Sequence, residues 1–148
     1  FDDDWMRENG FLEGVWTDIR AGDVQSRKPS DRVYTARADD RLRDVVALMK
    51  AHNVSQLPVV DDNGRLRGLV SEIDLLNHML QVDHVHEADE TIAAMIDEDA
   101  PVVGPNARLE TLMSLISNRP AVVIVRDERV EGILTKIDIL DYLSSQIR

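Results

Sequence analysis

Apolar residues fall at positions 42, 45, 46, 48 and 49 in LRDVVALM, and at 109, 112, 113, 115 and 116 in LETLMSLI. Both runs follow the three-and-four spacing of an amphipathic helix. After the first comes NVSQLPVVDDNGRLRGLV (53–70), and after the second NRPAVVIVRDERVEGILT (118–135). Each reads as a β-run, a turn and a second β-run. The first turn, DDNG, is a strong hairpin signal. The second, RDER, is shorter and has no glycine. A last helix follows in each case, IDLLNHML or IDILDYLSS. Ahead of each amphipathic helix lies a short extended piece, RVYTARADD or APVVGPNA, and ahead of that a short helical piece, AGDVQS or ETIAAMI. The chain therefore predicts two copies of one unit, each helix–β–helix–β–β–helix. Neither copy is large enough to bury its apolar faces alone, so the two are expected to pack on each other. The polar, acidic stretch QVDHVHEADE (81–90) reads as the exposed linker between them. The predicted organisation is a linker segment with a short helix at 1–19, a first repeat at 20–80, the connection at 81–90 and a second repeat at 91–148.

Within this doubled pattern one motif recurs most closely. Residues 68–76 read GLVSEIDLL and residues 132–140 read GILTKIDIL. Ser71-Glu-Ile-Asp74 and Thr135-Lys-Ile-Asp138 have the form hydroxyl, two residues, carboxylate, ahead of an apolar run. That form is a helix start: the hydroxyl caps a free backbone N–H and the aspartate sits where the helix dipole favours a negative charge. The same groups also suit a ligand. A helix N-terminus with open N–H groups accepts an anion or polar ligand. A nearby carboxylate accepts the two hydroxyls of a ribose, and Ile73 or Ile137 could cover a flat base. The two readings are compatible, because a ligand can share a cap.

Composition narrows the function classes. The formal net charge is −11 and the lysines are Lys28, Lys50 and Lys136 alone. Nucleic-acid binding needs a basic face to neutralise phosphates, so it is not expected. No apolar stretch is long enough to cross a membrane. The absence of cysteine rules out disulfides and thiol catalysis and is compatible with a reducing cytosol, so the cytoplasm is the expected compartment. No nucleophile–base pair, metal set or cofactor lysine is evident, so the chain is read as non-catalytic. It begins at Phe1 with no visible signal peptide, which suggests a fragment or a processed product.

The doubled h-P-V-V-D or its equivalent, followed by G-h-h-S/T-x-x-D-h-h, resembles a tandem pair of CBS domains, the Bateman module, over about residues 20–148. The resemblance implies an α/β (α+β) fold of two β-α-β-β-α repeats packed through their sheets with pseudo-twofold symmetry. It also implies two clefts that bind adenosyl compounds. One cleft would join Thr135, Ile137 and Asp138 to Val54, Ser55, Gln56 and Leu57, with the backbone near Val33 and Tyr34. The other would join Ser71, Ile73 and Asp74 to Arg119, Pro120, Ala121 and Val122, with the backbone near Pro101 and Val102. Val123 stands where the first repeat has Pro58, so the two clefts need not be equivalent.

The opening piece FDDDWMRENGFL reads as a short helix started by Asp2, Asp3 and Asp4 and stopped at Gly10. It resembles the segment joining the catalytic domain of cystathionine β-synthases to their C-terminal regulatory module, and ILTKIDILDYLSSQ is similar to the end of that module. The resemblance implies a regulatory part, without the pyridoxal-phosphate domain it would control. S-adenosylmethionine is then the first-choice ligand and AMP, ADP or ATP the second, with Arg119, Arg37 and Lys136 as the bases available to phosphates. Pairing of two modules into a closed twofold dimer is also implied. A module with unused clefts that only sets oligomeric state is the alternative.

Three other features carry less. His78, His84 and His86, with Glu87 and Asp89, read as a solvated linker, because no second spaced ligand pair follows. Met49, Met79, Met95 and Met113 read as core filler. Tyr34 could stack on a base, although a lone strand aromatic is commonly packing.

Overall fold

The computed structural model describes residues 18–28, 32–81, 87 and 89–147. The predicted helix within 1–19 and most of the connecting stretch, His84 and His86 included, lie outside the described residues. Helix α1 spans Ala21–Arg27 and α2 Leu42–His52. Strands β1 (Gln56–Val60) and β2 (Leu66–Ser71) form an antiparallel hairpin, and α3 covers Glu72–Met79. A single 3-10 turn, Ala93–Met95, opens the second half. Strand β3 (Val102–Val103) runs parallel to β4 (Val122–Arg126), with α4 (Leu109–Ile116) between them. Strand β5 (Arg129–Leu134) pairs antiparallel with β4, and α5 (Lys136–Ser145) closes the fold. The extended piece of the first half makes the matching parallel contact through one bridge, Ala36 to Val59. The fold is α+β, and both halves follow the predicted order.

The helix periodicity selects the buried faces. In α2 the fully or almost fully buried residues are Leu42, Val45 and Met49, and in α4 they are Leu109, Leu112 and Ile116. Both sets have the same one-face spacing. The intervening Val46 and Leu48, with Leu115, are partly buried, and Met113 stays exposed.

The opening segment of each half sits in the core of the other half. Ala21 and Val24 of α1 pack with Leu112, Ile116 and Leu134, and Ile92 and Met95 pack with Val45, Leu57 and Val70. The backbone contacts are reciprocal. Ala21 N–H donates to Ala107 and Leu109 N–H to Ile19, while Ile92 N–H donates to Asp40 and Leu42 N–H to Glu90. Under the repeat, 42 answers to 109 and 90 to 19, so these four bonds are two copies of one pattern. That exchange gives the pseudo-twofold arrangement. The sheets meet face to face through Leu69, Ala121 and Val123, with Leu66, Val125 and Ile133 around them.

The segment ETIAAMI differs from its predicted helix. Only Ala93–Met95 coil, because the chain is drawn out at Ile96 (φ −82°, ψ 126°) and Asp97 exchanges two backbone hydrogen bonds with Leu69, at 2.8 and 3.0 Å. In the first half α1 continues through the matching positions.

The two hairpin turns reach the same end by different chemistry. In the first, Gly64 takes the positive φ (79°), and the Asp61 side chain accepts from the N–H groups of Asn63 and Arg65. The Arg65 N–H bond holds the Asp61 carboxyl below its ordinary range. In the second, RDER makes a two-residue turn in which Asp127 (φ 51°) and Glu128 (φ 66°) are both left-handed. That backbone favours glycine at the second position. Glu128→Gly is therefore expected to raise stability by about 0.5–1 kcal/mol, since relief of the left-handed strain exceeds the loss of an exposed Arg65–Glu128 ion pair. Chemical denaturation of the variant beside the parent measures it.

Candidate ligand-binding site

Helix α2 ends at Asn53, which takes the left-handed conformation (φ 52°, ψ 48°) usual after a helix. That turn brings residues 52–57 beside the N-terminus of α5. Between them lies a cavity of about 730 Å³ lined by Val33, Tyr34, His52–Leu57, Ile133 and Thr135–Asp138, with Lys28, Arg32, Arg119 and Pro120 at its wall. Val33, Tyr34, Val54, Ser55, Gln56, Leu57, Thr135, Ile137 and Asp138, which the family resemblance groups into one cleft, all line it.

The helix start and the open site coexist at atomic detail. Asp138 Oδ2 accepts from the Thr135 N–H at 2.8 Å and from the Thr135 hydroxyl at 3.0 Å. Lys28 Nζ lies 3.3 Å from the same oxygen and donates to the Ile133 carbonyl at 2.8 Å. All three contacts use Oδ2. Asp138 Oδ1 has no hydrogen bond among the described residues. Capping therefore occupies one carboxylate oxygen and leaves the other.

The second motif has the same chemistry and a different setting. Asp74 Oδ2 accepts from the Ser71 N–H and hydroxyl at 3.2 and 2.8 Å, and the Asp74 N–H returns a bond to Ser71 Oγ at 3.3 Å. The β1–β2 ladder reaches Ser71, which pairs with Gln56, and the Glu72 N–H donates to Ser55 at 3.0 Å. The β4–β5 ladder stops at Leu134, opposite Val122. The N–H groups of Lys136 and Ile137 consequently have no hydrogen bond among the described residues. Of the other residues grouped into the second cleft, Ala121 and Val122 are fully buried, and Ile73 and Val102 are exposed. The Pro101 carbonyl accepts from Val123 N–H. Arg119 and Pro120 line the first cavity, and Arg119 reaches across to Asp97 Oδ2 (2.6 Å) and the Asp99 carbonyl (3.2 Å).

Tyr34 stacks on His52, ring centroids 3.7 Å apart and planes 16° from parallel, with the Arg32 guanidinium 5.6 Å from the tyrosine ring centre. Arg37, read from sequence as a phosphate contact, pairs instead with Asp62 and is not among the lining residues. Lys28, Arg32, His52 and Asn53 were not foreseen. Lys28 follows α1, which packs in the core of the second half, and Arg32 lies by Tyr34 of the first half, an exchange that periodicity does not locate. His52 and Asn53 belong to a helix end that faces Thr135 across the cavity, 82 residues further along the chain from Asn53 (135 − 53). His78 pairs with Glu90, and no group of three metal-ligating side chains occurs among the described residues.

The CBS domain family matches residues 21–81 and 92–145. The chain belongs to the CBS-domain family. It is similar to a cystathionine β-synthase of Dictyostelium discoideum, 25% identical over 95% of this chain and 30% of that enzyme. It is also similar to an uncharacterized protein of Methanocaldococcus jannaschii, 27% identical over 91% of this chain and 38% of the relative. The chain thus spans about a third of the length of these curated relatives. Among solved structures, the CBS domain pair of protein MJ0100 in complex with 5′-methylthioadenosine and S-adenosyl-L-methionine covers 87% of this chain and 98% of its own (TM-score 0.73, 22% identity). CBSX2 in complex with AMP has the same coverages and identity, with a TM-score of 0.71. These similarities show the CBS-pair fold.

Proposed function

We propose that this CBS pair is a non-catalytic regulatory module that binds an adenosyl ligand in the cavity between residues 52–57 and Thr135–Asp138. The observation carrying this is the carboxylate of Asp138, whose Oδ1 has no partner among the described residues, on the wall of a cavity that also holds two helix N–H groups with no hydrogen bond among them. Ribose hydroxyls would take Oδ1, and exposed Ile137 would cover the base. Both solved relatives named above hold adenosyl compounds, which supports the ligand class. The ligand acts by favouring one arrangement of the module over another, and an attached catalytic domain of the cystathionine β-synthase type would read the change. Because a ligand that binds only the folded state raises the melting temperature, thermal shifts with adenosine, AMP, ATP and S-adenosylmethionine test the reading. No shift with any of the four would end it.

A second reading concerns assembly. Ile73, Leu76 and Met79 on α3, with Ile137 and Leu140 on α5, are each half or more exposed. Such apolar side chains mark an interaction surface, and pairing of two modules through these helices gives a closed dimer. The double variant Leu76→Glu/Leu140→Glu is expected to sediment as a monomer at concentrations where the parent sediments as a dimer. A parent that is monomeric at tens of micromolar counts against pairing. No helix among the described residues is long and apolar enough to cross a membrane.

A further inference from the structure

We infer that Asn63 is a site of spontaneous deamidation, and that Asp61 is the residue that restrains it. The β1–β2 turn reads Asp61-Asp62-Asn63-Gly64, and Asn63 is exposed. The Asn63 side-chain amide makes no hydrogen bond among the described residues. Gly64 has no side chain to keep its own nitrogen away from the Asn63 carboxamide. In the reaction the Gly64 nitrogen loses its proton and attacks Asn63 Cγ. The new N–C bond closes a succinimide ring, and the Cγ–Nδ2 bond breaks with loss of ammonia. Water then opens the ring at either carbonyl. One opening yields an ordinary aspartate. The other yields isoaspartate, in which the main chain runs through the former side chain and is longer by one methylene. Water is the one co-reactant, and nothing is oxidised or reduced.

The turn opposes the first step. The N–H groups of Asn63, Gly64 and Arg65 all end on Asp61. The first and third donate to its Oδ1 at 2.8 and 3.0 Å, and the second to its carbonyl at 3.0 Å. The Asp61 N–H donates in turn to the Arg65 carbonyl at 2.9 Å. While these bonds stand, the attacking nitrogen keeps its proton in a hydrogen bond, and the peptide between 63 and 64 cannot rotate towards Cγ. The reaction therefore runs from the opened turn, at the rate of a free chain multiplied by the open fraction. The two bonds to the carboxylate are charge-assisted, so they weigh most in that fraction. The turn also abuts the second hairpin. Arg65 pairs with Glu128 at 2.9 Å, and a Cβ at Gly64 would lie 2.7 Å from Arg129 Nη1. A main chain lengthened at 63 has no slack against that neighbour, so isoaspartate parts the two hairpin tips.

Peptide mapping by mass spectrometry, during long incubation of the parent, Asp61→Ala and Asp61→Asn in one mildly alkaline buffer, tests this. Conversion reads as an amide exchanged for an acid at Asn63, with aspartate and isoaspartate separated by chromatography. Asn9-Gly10 is a second pair of the same kind and serves as an internal clock for the incubation. In the folded parent Asn63 is expected to convert about tenfold or more slowly than in the chain unfolded by urea. Asp61→Ala should raise the rate about tenfold, the worth of a charge-assisted hydrogen bond. Asp61→Asn keeps an acceptor oxygen without the charge and should fall between the two. Circular dichroism confirms that each variant is folded under the incubation conditions, and Asp61→Asn carries the test if Asp61→Ala is not. Conversion of the parent as fast as in the urea-unfolded chain, or a rate untouched by both substitutions, overturns the restraint by Asp61. Asn63 left intact in every folded sample while Asn9 converts overturns the site itself.

Discussion

Asp138→Ala is expected to weaken the binding of an adenosyl ligand by about ten- to a hundredfold, the loss of a charge-assisted hydrogen bond worth roughly 1.5–3 kcal/mol. The change also removes the acceptor for the Thr135 N–H and hydroxyl and the counter-charge of Lys28. A stability loss of about 1 kcal/mol should therefore accompany it. Stability alone cannot tell a cap from a ligand contact, so the informative control is Asp74→Ala. Asp74 makes the same bonds to Ser71 but is not among the residues that line the cavity. Both variants should melt earlier than the parent, Asp138→Ala somewhat more because Lys28 loses its counter-charge, and only Asp138→Ala should lose affinity. Titration of the two beside the parent decides it. Equal affinities in all three would mean that the repeated motif is a pair of helix caps and that the ligand sits elsewhere. Asp138→Asn adds a further discrimination, because the amide keeps an acceptor oxygen and loses the charge. It should fall between the parent and Asp138→Ala.

Much of this site was legible because repetition is itself a signal. The spacing of Leu42, Val45 and Met49, matched by Leu109, Leu112 and Ile116, places the helices and their buried faces. The doubled motif places Asp74 and Asp138 at helix starts. The grouping of Val54–Leu57 with Thr135–Asp138 came from family resemblance, since nothing in local periodicity brings residues so distant in the chain together. What stayed hidden is the difference between the copies. The motifs are nearly identical as strings, yet one hairpin pairs Ser71 with Gln56 and satisfies the Glu72 N–H, whereas the other opens after Leu134. The register of the two hairpins is the same, and the one additional pair in the first ladder decides which helix N-terminus is available. Lys28 was hidden for a related reason. Its α1 segment belongs in sequence to the first half but packs in the core of the second, against Leu134 and Ile139, and only that exchange brings its ammonium to Asp138.

The two glycines of the motif show the same exchange in energetic terms, and Gly68→Ala is expected to be far more costly than Gly132→Ala. Each glycine lies where the opening segment of the other half rests on the sheet. A Cβ at Gly68 would stand 2.6 Å from the Asp97 carbonyl oxygen and 2.6 Å from Ile96 Cγ2. The Asp97 carbonyl is bonded to the Leu69 N–H, and the Asp97 N–H to the Leu69 carbonyl. The backbone there cannot retreat without breaking both bonds. A Cβ at Gly132 would meet Gln25 Oε1 at 2.3 Å and no backbone atom among its nearest contacts. Gln25 Oε1 is buried and makes no hydrogen bond among the described residues, so moving the amide breaks no bond there, although the closely packed core resists it. Gly68→Ala should therefore lie at the upper end of the roughly 1–3 kcal/mol cost of overpacking, and Gly132→Ala at the lower end. For a chain of this size the larger figure lowers the melting temperature by about 6–12 °C. Calorimetric melting of the two variants distinguishes them. Equal losses would mean that the contact of residues 96–97 with β2 yields as readily as a side chain. A larger loss at Gly132 would mean that Gln25, not the Leu69–Asp97 pairing, is the less yielding of the two crossover contacts.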